Sequence, residues 1–362
     1  MTGTRPAAGQ PSAAFVGTVG VATVASNLAR QDYLIDTHRF PSEGNWAFCR
    51  FDNEEVLAVR LGFQRGGFNA GPSERRPDPT YLQLHLEVMT SAGALLWLPS
   101  GVHLADKVVS DPECFNIAFT TEDCCVFSFR GWPNIRCLFR SDDGVLEVDL
   151  EFALRKISVL PDCRLPHCLF AMWESMGEAS GIVRYRDRRV SVNGKVFFDH
   201  TRVIETQHAV APRHGYIYTT LYLEDGSGLF GYHSFDILGQ PITEYCFGIY
   251  LDVNGNSLFL NETELDQLEL DDDRVTKSWR MYWRSADFSI TANVAVKRNP
   301  ILQIWGSPDV PTTRQGFSII PLVLDASVHL RNAGSSRVLR GRGLAEYFNA
   351  DLWPTNATTT AA

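Results

Sequence analysis

Along Tyr81–Val88 polar and apolar residues alternate: Tyr81, Gln83, His85 and Glu87 share one face of an extended segment, and Leu82, Leu84, Leu86 and Val88 the other. An imidazole and a carboxylate two residues apart on one strand face can move a proton to and from a substrate oxygen, so His85 and Glu87 form a candidate acid–base set. That chemistry requires the face to line a pocket; water is the ordinary environment of a polar strand face, and there it carries none. Glu174 follows Trp173 in an otherwise apolar stretch and is a candidate catalytic carboxyl. Arg202 can donate to, and Glu205 accept from, a substrate oxygen. Three apart on an extended strand, they face opposite sides and do not act as one unit. Trp46, Trp97, Trp173 and Tyr245 are candidate walls of an aromatic pocket, although such residues also build ordinary β cores.

Other chemistries lack their residues. There is no G-x-S-x-G elbow, no phosphate-binding loop and no dinucleotide fingerprint after a strand. His208 and His214 flank Pro212 without a third ligand nearby, and Asp271-Asp-Asp273 has the look of a solvated loop, so neither metal nor cofactor is expected. A net charge of -9 argues against a nucleic-acid partner, and the basic cluster Arg184–Arg189 alternates with other residues as a solvated strand face does. No apolar run reaches the roughly 20 residues of a membrane-spanning helix. The eight cysteines include the adjacent Cys124 and Cys125 but no C-x-x-C pair. Buried free thiols in a reducing, cytoplasmic setting are the expectation. Ala13–Ala25 makes a poor signal peptide, and the sequons at Asn261 and Asn356 are merely compatible with secretion.

These residues need elements to position them. A chain of 362 residues exceeds what one core usually covers, which predicts two domains. Period-two alternation dominates from residue 45. Leu146, Val148, Leu150, Phe152 and Leu154 oppose Glu147, Asp149 and Glu151; Phe247, Ile249, Leu251 and Val253 repeat the pattern, as do Phe288, Ile290, Ala292, Val294 and Val296. Turn pairs stand at Asp143-Gly144, Asn193-Gly194, Asp225-Gly226 and Asn254-Gly255, and Asn193-Gly194 predicts a hairpin between Val190–Val192 and Lys195–Phe198. Helical signals are confined to one turn at Leu265–Leu270 and a short start at Gly343–Tyr347. The fold class is therefore all-β, a sandwich or a barrel. The expected organisation is a flexible extension over 1–30, domains over 31–210 and 211–354 that meet in His208–His214, and a disordered tail over 355–362.

From about residue 181 the order of features resembles the two-domain lipocalin-like family of carotenoid 1,2-hydratases and fungal Diels–Alderases, including hetero-Diels–Alderases of tropolone sesquiterpenoid pathways. In that family the first domain ends in a glycine-flanked strand pair, then Asp-His or Asp-Arg; here this is Val190-Ser-Val-Asn-Gly-Lys-Val-Phe-Phe-Asp199-His200-Thr-Arg202. The second domain opens with an aromatic strand and a Leu-x-Asp-Gly turn, here Tyr216–Gly226, followed by Leu229-Phe-Gly-Tyr232. Asp252-Val-Asn-Gly255 and the closing Gly341-Arg-Gly343-Leu-Ala-Glu346 agree with it, and Gly44-Asn-Trp46 through Asp52 looks like its Trp-rich first strand. Two departures weaken the hydratase likeness: Arg202 stands where the hydratases carry Trp, and the strand after it has Tyr and Thr for Trp and Phe.

The resemblance implies two calycin-type antiparallel barrels packed together. It places Asp199 and His200 at the domain junction, where a ligand is reachable from both halves, with Tyr232 at the substrate; an inter-domain hydrogen bond would explain the pair equally well. It implies a cofactor-independent [4+2] cyclisation, Diels–Alder or hetero-Diels–Alder, of a hydrophobic polyene or of a quinone methide with a terpene. Such a reaction needs a substrate folded into reactive geometry and a donor on a conjugated oxygen. The 22 Phe, 11 Tyr and 8 Trp can supply the walls. A hydratase or isomerase acting on an isoprenoid, and a non-catalytic carrier of hydrophobic ligands, are the alternatives. The sequence is compatible with a homodimer.

Overall fold

The computed structural model describes residues 42–65, 81–97, 103–104, 109–111, 116–120, 126–131, 134–141, 144–165, 168–206, 215–236, 238–260, 262–270, 276–285, 287–298, 303–305, 317–332 and 334–349. The expected N-terminal extension, Ala13–Ala25, His208–His214, Asp271–Asp273, both sequon asparagines and the C-terminal tail lie outside these residues. Twelve strands form the first sheet: β1 (Ser42–Phe51), β2 (Val56–Arg65), β3 (Tyr81–Thr90), β4 (Gly93–Trp97), β5 (His103–Leu104), β6 (Val109–Asp111), β7 (Asn116–Thr120), β8 (Val126–Arg130), β9 (Asn134–Arg140), β10 (Leu146–Leu165), β11 (Cys168–Tyr185) and β12 (Arg188–Thr206). Ten form the second: β13 (Gly215–Leu223), β14 (Gly228–Phe235), β15 (Pro241–Leu251), β16 (Ser257–Leu260), β17 (Glu262–Leu270), β18 (Thr276–Ser285), β19 (Phe288–Arg298), β20 (Gln303–Trp305), β21 (Phe317–Asn332) and β22 (Ser335–Asn349).

Both sheets are antiparallel and curled into barrel-like domains, and they share a plan. Most consecutive strands pair as a meander and the first strand of each sheet pairs with the last, β1 with β12 and β13 with β22; the order breaks between β4 and β6 and between β16 and β17, and β5 and β20 pair off the main path with β3 and β21. Three apolar layers result. Cys49, Leu61, Phe129, Phe152 and Phe198 fill the first barrel; Leu221, Trp279, Trp283, Ile290 and Tyr347 fill the second. Phe48, Met176, Phe197, Tyr218, Phe230 and Phe247 pack between the two at a junction. The Tyr222 hydroxyl donates across it to the Phe48 carbonyl at 2.7 Å.

Alternation in β10 and β19 matches the sequence pattern, with Leu146 through Leu154 and Ile290, Ala292 and Val294 buried. Val253 departs from it: it is half exposed in the turn after β15. Asn193-Gly194 is not a turn. The β11–β12 hairpin turns instead at Arg186-Asp187, where Arg186 takes a φ of 52°, and Gly194 lies mid-strand opposite Phe51, because a side chain there would collide with the Arg50 carbonyl. Neither expected helical turn forms. In β17 a bulge between Leu265 and Gln267 brings Leu265 and Leu268 onto the same core, imitating helical spacing. Gly343–Tyr347 is a stretch of β22 buried on both faces, with Ala345 and Tyr347 inside the barrel and Leu344 at the junction. The described thiols Cys49, Cys137 and Cys246 are free and buried.

Candidate functional site

The pairing of β1 with β12 sets Asn45 opposite His200 and Trp46 opposite Asp199. Successive residues of a strand point to opposite faces, so one pair enters the first barrel and the next faces the junction. Glu43, Asn45 and His200 are all fully buried on the inner face. His200 Nδ1 is hydrogen-bonded to Asn45 Oδ1, and its Nε2 lies 3.8 Å from Glu43 Oε1. An amide oxygen only accepts, so Nδ1 carries the proton and Nε2 is turned toward the carboxyl, as a base when neutral and a donor when protonated. Phe63, the register partner of Asn45, and Phe198 continue this face into rings that meet edge to face, Phe129 and Phe198 at 5.0 Å.

At the junction, Glu174 stands opposite Asp199 on neighbouring strands, and both are buried. The Tyr218 hydroxyl, from the second barrel, donates to Asp199 Oδ2 at 3.4 Å and also faces Glu174, whose carboxyl oxygens find no closer donor among the described residues. Burial, and then the charge of Asp199, holds the Glu174 carboxyl well above the usual carboxylate range, against the pull of the Tyr218 hydroxyl. Burial and then Glu346 push Asp199 the same way, opposed by Arg60. Burial and the two carboxyls likewise raise the Tyr218 phenol. Two carboxyls this close and this dry do not both ionise, so at least one of them keeps its proton where a lone carboxyl in water would have lost it. Rings surround it: Tyr218 packs on Phe48 at 5.1 Å and Phe230 at 4.9 Å, and Tyr232 stacks on Tyr216 and Phe247 at 5.3 and 5.9 Å.

A charged group closes the same layer. Arg60 meets Glu87 at 3.1 Å and pairs with Glu346 of the second barrel, which also accepts from the Tyr216 hydroxyl at 3.2 Å. Burial works against the charge on Arg60, but Glu346 and Glu87 outweigh it. The guanidinium lies over Trp46 at 4.8 Å.

Of the residues singled out from sequence, Glu174, Asp199, Trp46, Tyr232 and Glu87 meet at the junction, and His200 stands on the other face of the same strand. The expectation that the polar face of β3 meets water is overturned at Glu87, which is buried as the partner of Arg60. The side chains of His85, Trp97, Trp173, Arg202, Glu205 and Tyr245 lie outside the described residues. Sequence reasoning passed over Arg60, Asn45, Glu43, Tyr218 and Glu346. Arg60 carried a signal, a charge within the apolar run Val56–Phe63, and Glu346 stands in the closing glycine motif.

No protein-family model and no curated protein sequence matches the chain. Solved structures do. A candidate AttH from Nitrosomonas europaea superposes with a TM-score of 0.60 at 12% identity, over 88% of this chain and 95% of that one. CghA gives 0.55 at 14%, over 85% and 88%. Kievitone hydratase from Nectria haematococca gives 0.49 at 10%, over 90% and 93%. The first two extend over both barrels and establish the two-barrel fold.

Proposed function

We propose that this protein is a cofactor-independent pericyclase that carries out a [4+2] cyclisation, Diels–Alder or hetero-Diels–Alder, on a hydrophobic polyene or on a quinone methide and a terpene alkene. The observation that carries the reading is the buried carboxyl pair Glu174 and Asp199, facing each other across neighbouring strands beside the Tyr218 hydroxyl in a layer of aromatic rings. A cycloaddition develops little charge, so the protein contributes by folding the substrate against rings and by donating to its conjugated oxygen. Neutral acids do this without the repulsion that a carboxylate would offer that oxygen. CghA, which shares the fold, is a Diels–Alderase, and this adds support.

A second reading uses the same acids: Glu174 protonates an alkene, water captures the cation, and the bound water returns a proton to the Glu174 carboxylate, the hydratase outcome. Mass spectrometry of a producing strain with and without the gene separates the two. Loss of a cyclised product, with accumulation of its uncyclised isomer or of water adducts of its precursor, is the expected result. Loss of a product one water heavier than the accumulating compound would favour the hydratase. Metabolites unchanged in structure and altered only in amount would leave a carrier of hydrophobic ligands and overturn both.

A further inference from the structure

On the outer face of the second barrel, β19 carries the short polar residues Ser289, Thr291 and Asn293 between longer side chains on both neighbours. Register places Arg284 and His329 as follows: Ser289 lies between Arg284 and Arg331, Thr291 faces His329, and Asn293 faces Arg280. Strands two apart in a sheet are separated by about 10 Å, so short residues on the middle strand leave a trough. These residues, with Tyr282 and Ile290, line a depression of about 390 Å³ that is open to solvent.

The lining is almost entirely of donors. Arg280 donates to Asn293 Oδ1 at 2.7 Å and lies 3.3 Å from Asp266; Arg284 lies 3.5 Å from Glu264. Both ion pairs are long and solvent-exposed, the kind that yields readily to a competing anion. Arg331, exposed on the opposite wall, pairs with no carboxylate among the described residues. Guanidinium groups converging from two walls over hydroxyls match the forked geometry of phosphate and carboxylate oxygens. On a chain of net charge -9 the three arginines gather positive charge beside the acidic β17, whose Glu264 and Asp266 answer two of them and leave Arg331 to a ligand.

We propose that this trough binds an oxyanion-bearing small molecule, with Arg284 and Arg331 gripping the anionic group from opposite walls and Ser289 and Thr291 donating from the floor. The site shares no residue with the junction and stands independently of the function proposed above. The test is calorimetric titration of the full-length protein with sodium pyrophosphate and with citrate at constant ionic strength. Saturable binding of either, weakened about tenfold or more by Arg331→Ala and by the trough-filling Thr291→Trp, is the expected result. The tighter of the two probes identifies phosphate or carboxylate as the group recognised. Binding untouched by both substitutions would overturn the site, as would an effect that sodium chloride reproduces at equal ionic strength.

Discussion

Inside the second barrel the Trp283 indole lies across Gly231 and Gly248, so close that a Cβ on Gly248 would meet its Cδ1 at 2.6 Å, with Trp279, Met281 and Tyr347 completing the fill. The first barrel has the same strand plan but carries Glu43, Asn45 and His200 on its inner face, and its neighbouring strand positions supply Asp199 and Glu174 to the junction. Both interiors are rich in aromatic rings and the second also buries His233, but only the first brings a carboxyl, an amide and an imidazole together on one inner face, with two more carboxyls on the other side of the same strands. Equivalent topology thus supports two different uses, and the assignment of chemistry to the first barrel and the junction rests on that contrast.

The contrast can be broken by substitution. Trp283→Ala should cost about 3–5 kcal/mol of stability in denaturant unfolding while leaving turnover per folded molecule unchanged. A selective loss of turnover would return the second barrel to the active machinery. Glu174→Leu should do the reverse, lowering turnover by about 10²–10³-fold with stability held or raised, since a buried carboxyl crowded against Asp199 is removed. Melting and rate measured on the same preparation check both.

Titration sharpens the comparison further. Burial lowers the His233 imidazole, inside the second barrel, from its ordinary 6.5 to about 4. The unfolded chain then binds a proton that the folded one refuses, so this contribution is intact above pH 6.5 and falls by about 3 kcal/mol as the pH drops toward 4. Urea unfolding of His233→Gln should lack that slope. The junction acids act in the opposite sense. The folded state keeps protons on Glu174 and Asp199 that the unfolded chain releases, so their contribution is full below about pH 4 and lost as the pH rises. Glu174→Gln should therefore gain on the parent protein with increasing pH, and parallel stability curves would refute the acid form. The smallest effect belongs to Arg342→Ala, which removes an exposed pair with Asp52 at 2.9 Å between the barrels and should cost under about 1 kcal/mol in the same assay.

Strands with one wet face were legible in the sequence: β10 alternates as it must when Leu146 through Leu154 are buried and Glu147 and Glu151 are not. Strands with two dry faces were not. All nine residues of β13 are buried, because Ile217 and Leu221 face the barrel and Tyr216, Tyr218 and Tyr222 the junction, with one buried threonine on each face, so period two has no charged face to contrast with. Asn193-Gly194 misled because glycine serves close approach as well as turning. At the site, Glu174 was legible as a carboxylate in an apolar run. Grouping Asp199 with His200 obscured the alternation that sends one to the junction and the other into the barrel. Arg60 and Glu346 are 286 positions apart in the chain, and only their pairing across the junction discloses either role.

That pairing bears on the chain as a whole. Cut between β12 and β13, each half would keep its own pairing of first strand with last, yet would expose its share of the aromatic layer. The first half would hold a guanidinium with one of its two carboxylates missing, and the second a carboxylate with no cation. Each fragment is the template for the other's recovery, so the two should reassemble in trans, and the linker serves mainly to keep the partners at high local concentration.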